Sequence, residues 1–465
     1  MMRNRVVAAL SAALLTAGVS GCVDFTGPGL STNPNQSSVA TANQLFAAIQ
    51  GLQQPVMTGD INRYVAVWDQ HMMGVNRQWS SYARYNLVDE NLQGWDNWYT
   101  GAGLVDLRNV QATATANNDK VYLGIAQVYE GLIMGIAADA WGNIPYSEAV
   151  NPSKPTPILD SQASVYAALQ TLLDNAIVNL ASGIGTGPGA VDLVYGGNTA
   201  KWIAMAHTLK ARLYLHTAKI AGAAAYTSAL AQAQLGIASA AGDYNTYQTS
   251  TVGEENQWFQ FKRNRGTDVA ASATLVNMMA ARSDPRLASY FAPNGAAVIK
   301  GANPGDEDDG TFSWLSATRG SPAFRQPLVT YAENQHILAE AQQRGSNDAA
   351  ALAALNAYNT SVGLPAVALA GIPLLQEILT SKYIALFQNF ETWNDYKRTC
   401  WPNLAVNPTA AAGLKIPARF YYGVGERQTN PNIPSPAVQQ AANGGRNPMD
   451  PRLATTIGGA ACLGQ

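Results

Sequence analysis

The chain has 465 residues, only 13% of them charged, and its 29 basic and 31 acidic residues leave a formal net charge of −2. Because nucleic-acid binding requires a strongly basic surface, this balance argues against a nucleic-acid partner. The length allows two or three ordinary domains or one large helical domain.

The first 22 residues have the pattern of a bacterial export signal. Two arginines precede an apolar stretch of about 14 residues, and a small pair, Ser-Gly, precedes Cys22. A cysteine at this point receives a lipid in bacterial lipoproteins, although an ordinary secretory signal with a chance cysteine is the alternative. We expect residues 1–21 to be removed, Cys22 to be lipidated, and residues 22–40 to form a tether. The apolar stretch is shorter than the ~20 residues of a membrane span, and no later stretch qualifies, so we expect no transmembrane helix.

Residues 41–465 are predicted to form one helical domain. Apolar residues recur at helical spacing over most of this range. The predicted helices run over residues 121–136, 162–180, 199–220, 223–240, 270–281, 328–344, 348–362 and 373–397. Paired helices with short connections, roughly 35 to 40 residues per pair, are typical of tetratricopeptide-like repeats. We therefore predict an all-α fold.

The middle of the chain has a different composition. Residues 243–325 are rich in Gly, Asn, Asp, Pro and aromatic residues, with little periodicity outside 270–281. Long irregular stretches inside a domain are usually functional or disordered, so this range is predicted to be a loop-rich ligand-binding insertion. About 60 C-terminal residues are rich in Pro, Asn and Gly and are predicted to be ordered loop over the helices.

The cysteines, histidines and clustered acidic residues offer few candidates for disulfide bonds or metal sites. Cys400 and Cys462 could form a disulfide in an oxidising compartment, but the sequence leaves open whether they meet. No Cys/His cluster has zinc spacing and the four histidines are scattered, so we expect no catalytic metal and no cofactor. The acidic residues 306–309 could hold Ca²⁺ through oxygen ligands, although a solvated acidic loop is the better interpretation.

Six groups of short motifs follow one another along the chain. They are DAWGNIPYSEA at 139–149, KW and KARLY within 201–214, DPRL at 284–287, YAE and LAEA within 331–341, KYIALF with ETWNDYKR within 382–398, and PAR, E and NPN within 417–432. In this order, behind a lipidation pattern, they resemble the motifs of the SusD/RagB family of nutrient-binding outer-membrane lipoproteins. The resemblance covers nearly the whole mature chain.

The resemblance implies an α-helical, tetratricopeptide-like fold on the outer face of the outer membrane. It also implies capture of a glycan or another oligomeric nutrient and delivery to a TonB-dependent, SusC-like barrel transporter, with no enzymatic activity. A secreted helical glycoside hydrolase and a tetratricopeptide-type scaffold for protein partners are the alternatives. Glu391 and Asp395 lie four residues apart on one helix face, whereas a glycosidase places two carboxyl groups on opposite sides of a sugar bond. We therefore predict no catalytic residue.

Two segments combine aromatic rings with polar side chains. A sugar ring stacks its C–H face on an aromatic ring, while Arg, Asn, Asp or Gln hydrogen-bonds the hydroxyl rim. The candidate ligand-binding residues are Arg77, Trp79, Tyr82, Tyr85 and Trp95 in the first segment, and Trp258 and Trp314 in the insertion. For any single ring, packing in the helical core is the alternative interpretation.

Overall fold

The computed structural model of the chain describes residues 40–87 and 94–465. The chain divides into two units, Met1–Gln44 and Leu45–Gln465, and apart from the first residues of one helix the second holds the features described below. The predicted signal peptide, the predicted lipidation site Cys22 and almost all of the predicted tether lie outside the described residues. The predicted domain limits therefore stay a prediction.

Helices make up most of the described chain, which confirms the all-α prediction. In chain order they are α1 (Ala42–Thr58), α2 (Asp60–Trp68), α3 (Arg77–Ala83), α4 (Leu104–Ala116), α5 (Lys120–Trp141), α6 (Gln162–Ala181), α7 (Thr199–His216), α8 (Ala218–Ala221), α9 (Ala223–Ala233), α10 (Gln257–Arg265), α11 (Ala273–Ala281), α12 (Leu287–Tyr290), α13 (Tyr331–Arg344), α14 (Asp348–Ser361), α15 (Gly371–Ala385), α16 (Glu391–Thr399), α17 (Val424–Thr429) and α18 (Pro436–Ala441).

Consecutive helices stack side by side to form the tetratricopeptide-like part of the fold. Helix α4 packs on α5, α5 on α6, α6 on α7, α7 on α9, α9 on α13, and α13 on both α14 and α15. Two glycines of α5 allow its close approach to α6, since a Cβ at Gly124 would lie 2.7 Å from the Leu180 side chain and one at Gly131 2.8 Å from Leu173. The predicted repeat packing is confirmed.

The expectation that no stretch after the signal is long and apolar enough to span a membrane was wrong for helix α5. Its 22 residues are long and apolar enough to cross a membrane, whereas the sequence analysis found no such stretch after the signal. Within the protein, 94% of its apolar window is buried. It is therefore the central core helix of the stack, which explains why its apolar residues extend around most of its circumference.

The predicted helix over residues 373–397 is in fact two helices. Helix α15 ends at Ala385 and α16 begins at Glu391. Gln388 between them has φ +65°, a left-handed conformation that interrupts a helix. The side chain of Asn389 then accepts a hydrogen bond from the backbone N–H of Glu391 at 2.9 Å, which satisfies a free donor at the start of α16.

Short antiparallel strands position the insertion. Strands β1 (Met72–Gly74) and β3 (Val269–Ala271) pair with Met73 opposite Ala270, and the remaining strands β2 (Tyr244–Asn245), β4 (Phe291–Ala292), β5 (Trp314–Leu315) and β6 (Pro327–Val329) pair as β2–β6 and β4–β5. The β1–β3 pair places α3 beside α10. The sequence analysis did not predict helix α10. The insertion is thus more structured than expected.

A disulfide joins the end of α16 to the C-terminal segment. Cys400 and Cys462 are bonded, with their Cα atoms 6.0 Å apart. The pairing that the sequence left open is therefore present in the structure. Apart from α17 and α18, the C-terminal segment is mostly irregular, as the composition predicted.

Candidate functional site

Buried charges converge on helix α16. The guanidinium of Arg398 donates to Glu340 on α13 at 2.6 Å and to Asp395 at 2.9 Å, and Lys382 on α15 lies 2.8 Å from Asp395. All four side chains are at most one-tenth exposed. Asp395 and Arg398 thus clamp neighbouring side chains, and the carboxylate of Asp395 is neutralised by two cations.

A second group of charges surrounds His216 on α7. Its Nε2 lies 2.7 Å from a carboxylate oxygen of Glu391, and its Nδ1 lies 2.9 Å from one of Asp139 on α5. Burial disfavours the charged imidazole, but the two carboxylates outweigh it and raise the pKa of His216 to about 10. One turn away, Arg212 donates two hydrogen bonds to Glu333, each 2.6 Å long.

This arrangement suits ion pairing better than catalysis or metal binding. One ligand atom each from Asp139, His216 and Glu391 lies within 4.8 Å of the others, which is close enough for a metal site. A doubly protonated imidazole, however, has no lone pair for a metal. Burial would raise the pKa of Glu391, but His216 and Arg212 lower it below its usual value, so it is a poor general acid. The motif charges therefore act as a buried framework.

The predicted pH dependence follows from His216. The native state keeps this proton up to about pH 10, whereas an unfolded histidine releases it near 6.5. Because the native state binds more protons in this window, we expect the free energy of unfolding to fall as pH rises from 6.5 to 10, with a slope approaching about 1.4 kcal/mol per pH unit. Urea unfolding at a series of pH values measures the slope.

His216→Gln removes the titrating group and should flatten this part of the profile. His207→Gln, on the same helix but outside the cluster, is the matched control and should keep the wild-type slope. A His216→Gln profile as steep as the wild type between pH 6.5 and 10 would contradict the assignment.

The structure brings most of the predicted ligand-binding rings together, but in the interior. The exposed fractions are 1% for Trp79, 5% for Tyr82, 7% for Tyr85, 3% for Trp95, 0% for Trp258 and 7% for Trp314. The ring centroid of Trp79 lies 5.2 Å from that of Phe261, which in turn lies 6.3 Å from Trp314. Their ligand role stays a prediction. None of the six is an exposed platform, and of the six only Trp95 and Trp314 line a cavity described below.

The polar members of the predicted set are also held by the protein. The Nε of Arg77 donates to Asp268 at 2.6 Å, although just over half of the Arg77 side chain is exposed. The hydroxyl of Tyr85 accepts a hydrogen bond from the backbone N–H of Asn407 at 3.0 Å. Of the two, only Arg77 presents surface to a ligand.

Trp95 borders the largest of the described cavities. We call this cavity of about 680 Å³ the Trp95 groove. Its rings are Tyr64, Trp95, Trp98, Trp141 and Phe420, and its polar side chains are Asp60, Arg63, Asp96, Asn97 and Gln257. The rings are nearly buried, whereas Asp60, Asp96 and Asn97 are exposed. The groove therefore has an aromatic floor and a polar rim.

The groove is assembled from distant parts of the chain. Helix α2 supplies Asp60 and Arg63, whose side chains lie 2.5 Å apart, and Arg63 also donates to the backbone carbonyl of Gln257 at 3.1 Å. Gly423 closes the groove against Trp95, since a Cβ there would lie only 2.9 Å from the tryptophan Cβ. The sequence analysis identified Trp95 but missed the α2 residues, for which no local pattern distinguishes a groove from an ordinary helix surface.

A smaller cavity lies in the insertion. We call this cavity of about 180 Å³, which Lys262, Asn294, Asp308, Phe312 and Trp314 help to line, the Trp314 cleft. The Lys262 ammonium sits 4.8 Å from the ring centroid of Trp314. The cleft can hold little more than one sugar unit, so the Trp95 groove is the better candidate for an oligomer.

The acidic loop proposed as a Ca²⁺ site uses its carboxylates internally. Asp306 accepts from the backbone N–H of Asn303 at 2.8 Å, and Asp309 accepts from Lys300 at 2.6 Å. Hydrogen bonds from Lys300 and Thr311 hold the pKa of Asp309 below its usual range. These contacts favour the interpretation as a solvated acidic loop.

Comparison with known proteins agrees with this architecture. A SusD-like family model, described as "Starch-binding associating with outer membrane", matches residues 34–423. The chain belongs to the SusD-like family. The resemblance found in the sequence is thereby confirmed. In this SusD-like protein, the charged residues of the two clusters on α5, α7, α13, α15 and α16 are residues of the motifs that revealed it, with the exception of His216.

Solved structures share the fold of this SusD-like protein. A chitin-binding protein is 21% identical with a TM-score of 0.73, covering 89% of this chain and 99% of its own. A chitin-binding SusD homologue from Flavobacterium johnsoniae is 22% identical with a TM-score of 0.72, covering 88% and 98%. A SusD/RagB family protein from Bacteroides thetaiotaomicron is 21% identical with a TM-score of 0.67, covering 85% and 95%. No curated protein sequence matches the chain.

Proposed function

We propose that this protein captures a glycan in the Trp95 groove without altering it. The protein is anchored through a lipid on Cys22 to the outer membrane, faces the cell exterior, and delivers its cargo to a SusC-like, TonB-dependent transporter. The family description as starch-binding and outer-membrane-associated supports this proposal. Glycan is the default cargo, and a peptide or another oligomer is the alternative.

The observation that carries the proposal is the composition of the groove. Five rings, each at most 5% exposed, line its floor, and its rim offers exposed amide and carboxylate groups to sugar hydroxyls. A volume of about 680 Å³ accommodates several sugar units. Exposed hydrogen-bonding groups for a neutral oligosaccharide therefore border a cavity with an aromatic floor.

A binding role without catalysis fits the carboxylates of α16. Glu391 and Asp395 are 2% and 7% exposed and are bound to cations, so neither can reach a glycosidic bond. The names of the similar structures refer to chitin binding, which supports a glycan ligand by analogy. A glycoside hydrolase or a scaffold with only protein partners would need another surface.

The structure of the Trp95 groove predicts how one rim substitution changes the affinity for an oligosaccharide. Asn97→Ala removes an exposed rim amide but leaves the backbone carbonyl of Asn97, which accepts a hydrogen bond from Gln53, in place. Losing one hydrogen bond to a sugar hydroxyl, worth about 1 kcal/mol, should weaken binding about fivefold. Isothermal titration calorimetry with soluble starch and chitin oligosaccharides measures the change.

Asn175→Ala, an exposed asparagine on α6 outside the groove, is the matched control and should bind as the wild type does. Recovered oligosaccharides should be unchanged in length. Shortened oligosaccharides would favour the hydrolase, and equal weakening by both variants would contradict the groove assignment. Binding of no glycan in the panel would favour the protein scaffold or a different cargo.

The anchor is testable in the native bacterium. Radiolabelled palmitate should label the wild-type protein and leave Cys22→Ser unlabelled, because the thiol is the only attachment point in the lipoprotein pattern. Cys22→Ser should also pass from the membrane fraction to the soluble fraction, since an acyl anchor contributes roughly 0.8 kcal/mol per buried CH₂. Equal labelling of both forms, or labelling of neither, would contradict the anchor.

A further inference from the structure

A separate cavity of about 500 Å³ contains an arginine with an unbalanced charge. We call it the Arg319 pocket; it lies beside α13, α14 and the end of α15. Its chemically distinctive lining residues are Asp243, Arg286, Tyr290, Arg319, Tyr331 and Tyr358. None of them lines the Trp95 groove, so this pocket is independent of the proposed function.

Arg319 contacts neutral groups in the folded protein. Its guanidinium sits 4.5 Å from the ring centroid of Tyr290, and Nη1 lies 3.5 Å from the Phe387 carbonyl and 3.3 Å from the Gln388 side-chain oxygen. Among residues 40–87 and 94–465, no carboxylate lies within 4.0 Å of it. The positive charge is therefore held by rings and weak acceptors alone.

The neighbouring Arg286 shows the contrast within the same pocket. It donates to Asp284 through Nε at 2.9 Å and through Nη2 at 2.5 Å, and to the Tyr358 hydroxyl at 2.6 Å. Its charge is balanced by a carboxylate of the protein. Arg319 lines the same pocket but has no carboxylate partner of this kind. Burial lowers the pKa of Arg319 from its usual range.

A carboxylate is the chemical group that best complements the unpaired guanidinium of Arg319. A guanidinium presents planar N–H donors that match a carboxylate, and such pairs are stronger when partly shielded from water. The rings of Tyr290 and Tyr358, each 3% exposed, lie beside the charge, and the partly exposed Tyr331 supplies ring surface in the same pocket. A small molecule with a carboxylate and a stackable ring fits both features.

Asp243 places a negative charge in the same pocket. Its carboxylate accepts from the backbone N–H of Tyr331 at 2.7 Å, and burial raises its pKa to about 6. Among the described residues, no arginine or lysine nitrogen lies within 4.0 Å of this carboxylate. An anion in the pocket is therefore attracted by Arg319 and repelled by Asp243.

We propose that the Arg319 pocket binds a small carboxylate, of which a sugar acid is the best fit. The carboxylate pairs with Arg319, and the sugar ring lies against the partly exposed Tyr331. The pocket thus forms a second site whose ligand class differs from the neutral oligosaccharide of the groove.

Calorimetry with glucuronate, glucose and sulfate at neutral pH tests the proposal. Glucuronate should bind at least about tenfold more tightly than glucose or sulfate, because only glucuronate supplies both the carboxylate and the ring. Arg319→Gln should weaken glucuronate binding about tenfold or more, and Asp243→Asn, which keeps an acceptor for Tyr331, should strengthen it. Arg325→Gln, an exposed arginine over Tyr247 outside the pocket, is the control and should change nothing.

The two substitutions should change glucuronate affinity in opposite directions, and this difference separates the effect of charge from a folding defect. If Arg319→Gln does not unfold cooperatively, and is therefore misfolded, the expected increase in glucuronate affinity in Asp243→Asn tests the proposal instead. Glucuronate binding no tighter than that of sulfate, or unchanged by Asp243→Asn and by a folded Arg319→Gln, would overturn the proposal. Each of these results is independent of whether a neutral glycan binds the groove.

Discussion

The fold depends on the buried ion pairs around helix α16. Charges removed from water are costly unless they are paired and hydrogen-bonded, and removal of one partner commonly costs 3–5 kcal/mol. Arg398 meets Glu340 of α13, while Glu391 meets His216 of α7, which also meets Asp139 of α5. One short helix therefore links α13, α7 and α5 through buried charges, and loss of a single charge from α16 would leave a partner on another helix unpaired.

This arrangement separates the residues that identify the family from those that face a ligand. Motif charges such as Asp395 and Arg398 lie in the interior, where they set the relative positions of the helices. The rim of the Trp95 groove comes from α2 and from Asp96 and Asn97, which the motifs do not include. A change of rim residues therefore need not disturb the buried charges, which is compatible with a shared fold at 21% identity.

The sequence predicted the helical stack well because its signal is local. Apolar spacing predicted α5, α6 and α13, and in the structure Ser161 caps α6 by accepting from the backbone N–H of Ser164. The break between α15 and α16 escaped prediction because it depends on the left-handed Gln388, a conformation that the residue type does not reveal.

The candidate site was only partly predictable because its walls come from distant segments. The polar, ring-rich stretch around Trp79 has the composition of a surface, yet the β1–β3 pairing brings Phe261 against it and buries it. Likewise, Phe420 and Gly423 reach the Trp95 groove from the C-terminal segment. Composition identified ring-bearing segments, but only the tertiary pairing decides which ring borders a cavity.

Hydrogen–deuterium exchange with and without a bound oligosaccharide tests the separation of framework from ligand surface most directly. We expect added protection in residues 60–64 and 94–98 of the groove, and unchanged slow exchange in Glu391–Thr399, whose charges are already paired. Ligand-dependent protection centred on Glu391–Thr399, with none at the groove, would contradict the account.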